Sequence, residues 1–274
     1  MKLLQARHLW GINETWEQVF PRIRAEGFVA IEAPLPDPDD RARFRALLDQ
    51  YDFEYIAMVI TEGTTVADYV SSFKDQVDAS KALRPMLINS HSGKDAWSES
   101  ESRSYFEQIL AMEASMDIPV AHETHRGRIL FNPWVSKRML SEFEHLQLCC
   151  DLSHWVCVCE RLLDNELDII RLCAERCIHL HTRVGYEEGP QVPDPRAPEY
   201  QRHLEAHEQW WQIIWAAQAA QGRKTITVTP EFGPPGYLHT LPYTNVPVAD
   251  LWEICNWQAH RQAENFAKLY PAIS

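Results

Sequence analysis

Four side chains that can bind a metal ion stand at the ends of four consecutive apolar runs in the second half of the chain: Glu123, Asp151, His181 and Glu231. Glu123 and Asp151 are 28 residues apart, and Asp151 and His181 are 30 apart, so each interval matches one strand–helix unit. The 50 residues from His181 to Glu231 add one long loop. Three carboxylates and one imidazole suit a hard or borderline divalent ion such as Mn²⁺, Mg²⁺, Co²⁺ or Zn²⁺. Because crowded carboxylates without a cation would repel one another and take up protons, the pattern predicts one divalent metal ion.

The elements that must position these residues repeat eight times. Apolar runs of strand length alternate with longer stretches of helical period. The runs cover residues 3–10, 28–35, 53–61, 86–91, 118–123, 146–151, 177–181 and 225–231. The helical stretches cover residues 13–26, 39–50, 65–81, 98–115, 133–146, 165–175, 198–221 and 248–270. Strands separated by a dozen or more helical residues pair in parallel, which predicts an α/β fold.

Such repeats can form an open sheet or a closed (β/α)8 TIM barrel, and two observations favour the barrel. No glycine-rich nucleotide-binding loop of the G-x-G-x-x-G or Walker type follows any run. Polar residues also recur at the carboxyl ends of nearly all the runs, and a barrel gathers these ends at one mouth. We therefore predict a single barrel domain over residues 1–274. Side chains at or near this mouth are expected to contact the substrate, namely His8, Trp10, Glu32, His91, His125 and Arg126.

Composition excludes several classes of protein. The chain has 26 Lys and Arg against 39 Asp and Glu, a net charge of −13, which disfavours nucleic acid as a partner. Gln5, Arg7 and His8 interrupt the first apolar stretch, so no signal peptide is expected, and no apolar run reaches the length of a membrane span. Seven cysteines, several of them inside apolar runs, are expected to be buried and reduced. Together these features predict a cytoplasmic protein without a membrane partner.

The order Glu, Asp-x-x-His, His-x-His, Glu on the last four strands resembles the xylose isomerase-like barrels (AP endonuclease family 2). That superfamily includes ketose 3-epimerases, hydroxypyruvate isomerase, inosose dehydratase and endonuclease IV. The resemblance implies that Glu123, Asp151, His181 and Glu231 bind one divalent ion and that His154 faces the substrate. It favours the second histidine of His179-Leu180-His181 as the ligand, and His179 is expected to lie in the barrel core.

The sequence departs from the pattern of two branches of this superfamily. Relatives of endonuclease IV carry an Asp-x-His that supplies further zinc ligands, whereas this chain has Asp194-Pro195-Arg196 in that region. Together with the acidic charge, this argues against DNA repair. The sugar epimerases commonly place an arginine in the loop after the histidine of the seventh strand, and here Arg183 follows His181 by only two residues.

The resemblance and the residues together predict a metal-dependent isomerase or epimerase acting on a small sugar or keto-sugar through an enediolate. The ion would acidify the α C–H bond, and Glu123 and Glu231 would act in turn as base and acid on opposite faces of that carbon. His154 and Arg183 would polarise or hold the carbonyl oxygen. A lyase resembling inosose or dehydroshikimate dehydratase, or one that cleaves C-glycosides, would use the same groups. An alternative of another class is a non-catalytic barrel that binds a sugar or a protein.

Charge and aromatic residues bear on the partners. His125, Arg126, Arg128 and Arg183 could attract an anionic substrate, or the arginines could pair with Glu187, Glu188 and Asp194 and hold the long loop. If the arginines hold the loop, the expected substrate is first a neutral, carbohydrate-like compound, second a carboxylated one and third a sugar phosphate. Tryptophans on the last two helices are expected mainly to pack, and exposed ones would suit the interface of a homodimer or homotetramer; they are Trp210, Trp211, Trp215, Trp252 and Trp257.

Overall fold

The computed structural model describes residues 1–271, in which eight parallel strands close into one barrel. The strands are β1 (Lys2–His8), β2 (Ala30–Pro34), β3 (Glu54–Ile60), β4 (Leu87–His91), β5 (Val120–Glu123), β6 (Leu148–Cys150), β7 (Cys177–His181) and β8 (Thr225–Thr229). Each strand pairs with the next, and β1 also pairs with β8, with Lys2 opposite Thr225. The predicted (β/α)8 barrel is confirmed. Its extent as one domain stays a prediction, and residues 272–274 of that span lie outside the described residues.

Helices follow the strands on the outside of the barrel, and the last of them, α9, comes after β8. They are α1 (Trp16–Ala25), α2 (Arg41–Gln50), α3 (Val66–Ser80), α4 (Glu99–Glu113), α5 (Pro133–Glu142), α6 (Leu152–Cys159), α7 (Leu167–Arg176), α8 (Gln201–Ala220) and α9 (Leu251–Leu269). The predicted start near Ser98 is a capping box, because the Ser98 side chain accepts a hydrogen bond from the Glu101 amide and the Glu101 side chain accepts one from the Ser98 amide.

Two helices differ from the sequence prediction. The stretch predicted as helical to residue 146 ends at Glu142, since Phe143 adopts an extended conformation. Helix α6 was not predicted at all, and it begins directly after β6. Its start depends on Asp151, whose Oδ1 accepts a hydrogen bond of 3.0 Å from the Ser153 amide. A candidate metal ligand therefore also caps a helix, which is a common role for aspartate.

The barrel interior is layered, and this layering positions the polar residues. A lower layer consists of small and apolar side chains: Ala6, Ala30, Ile56, Leu87, Ala121 and Cys149. Because side chains of a strand alternate between two faces, the residue two positions further along points to the same interior. Those next positions are occupied by His8, Glu32, Met58, Asn89, Glu123 and Asp151. The interior thus changes from an apolar lower layer to one in which every residue except Met58 is polar, at the carboxyl ends of the strands.

The cysteines and the tryptophans of α8 serve packing. All seven cysteines lie within residues 1–271, none of them forms a disulfide, and six are buried, with Cys157 partly exposed. Trp210, Trp211 and Trp215 are buried inside the chain itself, so they form no subunit interface. The homodimer or homotetramer stays a prediction. Among the described residues, no helix combines the length and apolarity that a membrane crossing requires.

Candidate metal and active site

Glu123, Asp151, His181 and Glu231 lie together at the carboxyl end of the barrel. One ligand atom from each of the four lies within 4.8 Å of the others. His181 Nδ1 is 3.2 Å from Glu231 Oε2 and 3.7 Å from both Glu123 Oε1 and Asp151 Oδ2. All four side chains are buried. The structure therefore brings together the four residues that the sequence singled out, and their binding of an ion stays a prediction.

The chemistry of this four-residue cluster fits a divalent cation. Glu123 Oε1 and His181 Nδ1 are buried, and within residues 1–271 neither atom makes a hydrogen bond of acceptable geometry, which is rare for buried polar atoms. Both atoms belong to the set that converges on one point. Arg183 pairs with two of the three carboxylates, those of Asp151 and Glu231, and its one positive charge balances only one of the three negative charges. A divalent ion would neutralise the other two.

Two other groups of the described residues have ligand atoms close together, and each shares a member with the cluster. They are His91, Glu123 and His125, and Cys149, His179 and His181. In the second group, His179 is already engaged through both ring nitrogens, at 2.8 Å from Thr227 Oγ1 and 3.2 Å from Glu32 Oε2. His179 is fully buried among these partners, as expected of a core histidine. The four-residue cluster therefore offers the larger set of ligands.

Glu32 lies beneath the cluster and orients His181. Its Oε1 atom is 3.1 Å from His181 Nε2, and the Asn89 amide donates to the same oxygen at 3.0 Å. The Thr229 hydroxyl donates to Oε2. Although burial alone would raise the pKa of Glu32, His181 and His179 hold it well below its usual value, so the group is a carboxylate. Since this carboxylate engages Nε2 of His181, Nδ1 is left to face the cluster, an arrangement typical of metal-binding histidines.

Replacing Glu32 by glutamine should weaken the binding of Mn²⁺ by about 10–100-fold, because an amide no longer fixes the His181 ring through a charged acceptor. Isothermal titration calorimetry of the dialysed protein measures this directly. The matched control is Glu113→Gln, since Glu113 Oε1 lies 2.9 Å from the buried His122 Nε2 in a His–carboxylate pair outside the cluster. Unchanged Mn²⁺ affinity in Glu32→Gln would show that Glu32 does not orient the ligand.

Arg183 and His154, both predicted to be catalytic, lie against the cluster. Arg183 Nη2 donates to Asp151 Oδ2 at 2.6 Å, and Nη1 is 3.2 Å from Glu231 Oε2. Arg183 Nη2 is also 2.6 Å from His154 Nε2. Burial would lower the pKa of Arg183, but Asp151 and Glu231 raise it, so the guanidinium stays charged. Burial, with His125 and Arg183 nearby, lowers the pKa of His154 well below its usual value, so the neutral ring accepts from the guanidinium.

Arg183 does not pair with the acidic residues of the long loop, which was the alternative predicted from the sequence. Arg183 pairs with Asp151 and Glu231, and Asp194 pairs instead with Arg196 at 2.8 Å. Glu187 lies 2.7 Å from His203 Nε2. The charge of Arg183 is therefore used within the site and not in the loop.

A cavity of about 370 Å³ opens over this site. Of the predicted substrate contacts, Trp10, His91 and His125 line it, together with Arg183 and Glu231. Burial and the neighbouring His91 lower the pKa of His125 to about 3, so this ring is neutral at pH 7.

The other predicted substrate contacts lie elsewhere. His8 and Glu32 are fully buried and do not line the cavity. His8 Nε2 instead faces the Cys255 thiol at 3.5 Å. Arg126 lines a second cavity of about 400 Å³, formed by the loops after β7 and β8.

Two residues of the site were not predicted. Asn89 is buried and donates both to Glu32 and, at 2.9 Å, to Glu123 Oε2. Its signal was its position two residues before His91, on the same strand face. Tyr237 belongs to the loop after β8, and the guanidinium carbons of Arg126 and Arg183 lie 5.0 Å and 5.1 Å from its ring centroid. No local sequence signal places this ring at the mouth.

Solved structures similar to this chain share its fold at low sequence identity. A probable 3-DHS dehydratase, AsbF, of Bacillus anthracis aligns with a TM-score of 0.61 at 12% identity, covering 96% of this chain and 98% of that one. A 3-keto-D-glucoside 4-epimerase, YcjR, of E. coli aligns with a TM-score of 0.57 at 12% identity, covering 98% and 100%. An AP endonuclease, family 2, of Brucella melitensis aligns with a TM-score of 0.57 at 14% identity, covering 86% and 95%.

Sequence comparison gives the family. No curated protein matches the chain significantly. The family model described as the xylose isomerase-like TIM barrel matches residues 20–212, which span β2 to β7 and most of α8. This match agrees with the closed barrel, and it includes Glu123, Asp151 and His181 but ends before Glu231. The chain therefore belongs to the xylose isomerase-like TIM barrel family, AP endonuclease family 2.

Proposed function

We propose that this protein is a divalent-metal-dependent isomerase or epimerase of a small sugar or keto-sugar. The observation that carries the proposal is the convergence of four ligand atoms beside a cavity of about 370 Å³ that Glu231 lines; two of these atoms are buried and make no hydrogen bond to the described residues. Glu123, Asp151, His181 and Glu231 would hold the ion. When bound, a divalent ion polarises a carbonyl oxygen and so acidifies the neighbouring C–H bond.

The two glutamates are suited to move the proton. Glu231 lines the cavity, and its carboxylate is in place to take a proton from a substrate carbon. Glu123 does not line the cavity itself but lies behind His91, which does and whose Nε2 is 2.7 Å from Glu123 Oε2. We assign to Glu123 the delivery of a second proton, taken up from solvent, to the opposite face of that carbon, while Glu231 releases the proton it has taken to solvent. Arg183 holds Asp151 and Glu231 in position and can donate to the substrate's carbonyl oxygen, while His154 fixes the guanidinium.

Exchange of the substrate α-proton with solvent tests this proposal. Ketoses, keto-inositols and keto-acids are incubated in D₂O with Mn²⁺-loaded protein and followed by NMR, with metal-free protein as the control. We expect deuterium at the carbon next to the carbonyl of at least one compound, only when Mn²⁺ is present. Exchange followed by loss of water would instead identify a dehydratase on the same groups. Mn²⁺ binding with no exchange in any class of compound would favour a binding barrel and contradict the proposal.

The substrate is expected to be neutral, because the buried cation of the site is already neutralised. Arg183 makes ion pairs with Asp151 and Glu231 and has no charge left unpaired for a ligand. Raising the salt concentration roughly tenfold should therefore leave kcat/KM nearly unchanged, since screening acts on charged encounters. A steep fall in kcat/KM with salt, together with a large rise of KM in Arg126→Ala, would indicate an anionic substrate.

A further inference from the structure

One wall of the cavity is apolar, and it comes from the first three strands of the barrel. This apolar wall consists of Leu9, Trp10, Pro34, Met58 and Ile60. These residues come from the ends of β1, β2 and β3, whereas the ligands come from the ends of β5 to β8. Trp10 is 38% exposed and Ile60 is 37% exposed. The wall thus presents apolar surface to the space in which the substrate would lie.

The Trp10 side chain of the wall is held in place by its surroundings. The Trp10 indole packs edge to face with Tyr237, with ring centroids 4.9 Å apart. The indole also lies against the backbone of Gly233, where an added Cβ would be 2.3 Å from it. Gly233 is itself fixed, since its amide donates to Gln191 Oε1 at 2.6 Å and its carbonyl accepts from Gln191 Nε2 at 3.1 Å. The apolar surface is therefore preformed, which reduces the entropy lost when a ligand binds.

An unsubstituted sugar can meet the apolar wall only with the C–H face of its ring. Its hydroxyl groups find donors and acceptors beside His91, His125, Arg183 and Glu231. Hydroxyls turned towards the apolar wall would lose their hydrogen bonds to water without replacement, which is unfavourable. A ligand with one polar half and one apolar half satisfies both walls. The volume of about 370 Å³ lies within the range of pockets that bind ligands of drug size.

We propose that the substrate carries an aromatic ring attached to its sugar-like part, and that Trp10, Met58 and Ile60 bind this ring. The substrate class is then an aryl-substituted keto-sugar. This inference rests on the proposed function, because it assumes that the polar half of the ligand lies at the cluster. The ring would lie against the side of the barrel formed by β1 and β3, away from the reacting carbon.

Matched pairs of glycosides test the proposal. Phenyl and methyl glycosides of glucose, galactose and xylose, and phenol alone, are titrated into Mn²⁺-loaded and metal-free protein. Saturation-transfer NMR and calorimetry report binding. For any sugar that binds, we expect the phenyl glycoside to bind roughly tenfold more tightly than the methyl glycoside, because the ring removes more apolar surface from water. The strongest saturation transfer should fall on the aryl protons, and phenol should bind without metal.

Variants of the wall separate this binding from general effects. Trp10→Ala and the milder Ile60→Thr should each weaken phenyl glycosides by about three- to tenfold and leave methyl glycosides unchanged. Trp134→Ala is the control, since Trp134 is exposed to a similar degree, 43%, and does not line the cavity.

Three outcomes would overturn the proposal. They are equal affinity of the phenyl and methyl glycosides, equal losses for both in Trp10→Ala, and the absence of any Trp10-dependent signal from phenol or a phenyl glycoside. Equal losses would mean that the wall binds the C–H face of the sugar itself. Because these experiments measure binding, their results test this inference even if proton exchange is never detected. Exchange with unsubstituted sugars only would leave the proposed function intact and refute this inference.

Discussion

Glutamine in place of Glu231 should slow exchange of the substrate α-proton by about 10²–10⁴-fold, the contribution typical of a positioned acid or base. The same loss is expected for Glu123→Gln, since each carboxylate serves one face of the same carbon. Glutamine keeps the size of the side chain and an oxygen that can accept hydrogen bonds, and it removes the proton acceptor. The rate of deuterium incorporation at saturating Mn²⁺ measures the effect, with Mn²⁺ affinity determined in parallel so that loss of metal is not mistaken for loss of the base.

Additivity is the sharper test of this pair. If both glutamates act on one carbon, the double variant should be little slower than the slower single variant, because groups that act as a unit are not additive. The two single variants should also differ in which epimer of a substrate still exchanges. Glu166→Gln serves as the control, since Glu166 is a buried carboxylate that pairs with Arg161 outside the site. Normal exchange in Glu231→Gln, or identical epimer patterns in the two variants, would contradict opposed faces.

Asp151→Asn is expected to weaken Mn²⁺ binding by more than the roughly 10–100-fold that changes around a ligand produce. Asp151 Oδ2 faces His181 Nδ1 and accepts from Arg183, whereas Oδ1 caps α6. Asparagine retains a side-chain oxygen for the cap, so the fold should survive, as circular dichroism would show. At about 100 times its dissociation constant, Mn²⁺ should stabilise the unchanged protein by roughly 2.7 kcal/mol, and most of that gain should be absent in Asp151→Asn.

Alanine at the same position should behave differently. Asp151→Ala removes the cap and one partner of the buried Arg183, so it should also lower the free energy of unfolding by about 1–3 kcal/mol. Denaturant unfolding of the two variants without metal separates the structural role from the ligand role. Mn²⁺ affinity in Asp151→Asn equal to that of the unchanged protein would show that Asp151 is not a ligand.

The barrel and the cluster could be predicted because both depend on short-range patterns. Each strand is an apolar run, and the polar residue at its end points to the interior by the two-residue period of a strand. The position of Glu123 two residues after Ala121 is such a local relation. Closure of the barrel then brings the strand ends together whatever the detailed loops are.

Roles that depend on distant partners could not be predicted in the same way. The sequence predicts that Glu32 contacts the substrate at the mouth of the barrel. Its contacts with Thr229 and His181 arise only when β2 faces β7 and β8 across the closed interior. Tyr237 reaches the mouth through a loop whose path depends on the Gln191–Gly233 hydrogen bonds. Helix α6 is short, and its signal is the cap at Asp151, which competes with the reading of that residue as a ligand.

Anomalous diffraction from crystals grown with Mn²⁺ tests the account most directly, because it locates the ion without reference to any substrate. We predict one strong peak per chain within coordinating distance of Glu123, Asp151, His181 and Glu231, with His181 bound through Nδ1. A peak at another group of side chains, or no peak between these four residues at saturating Mn²⁺, would contradict the account.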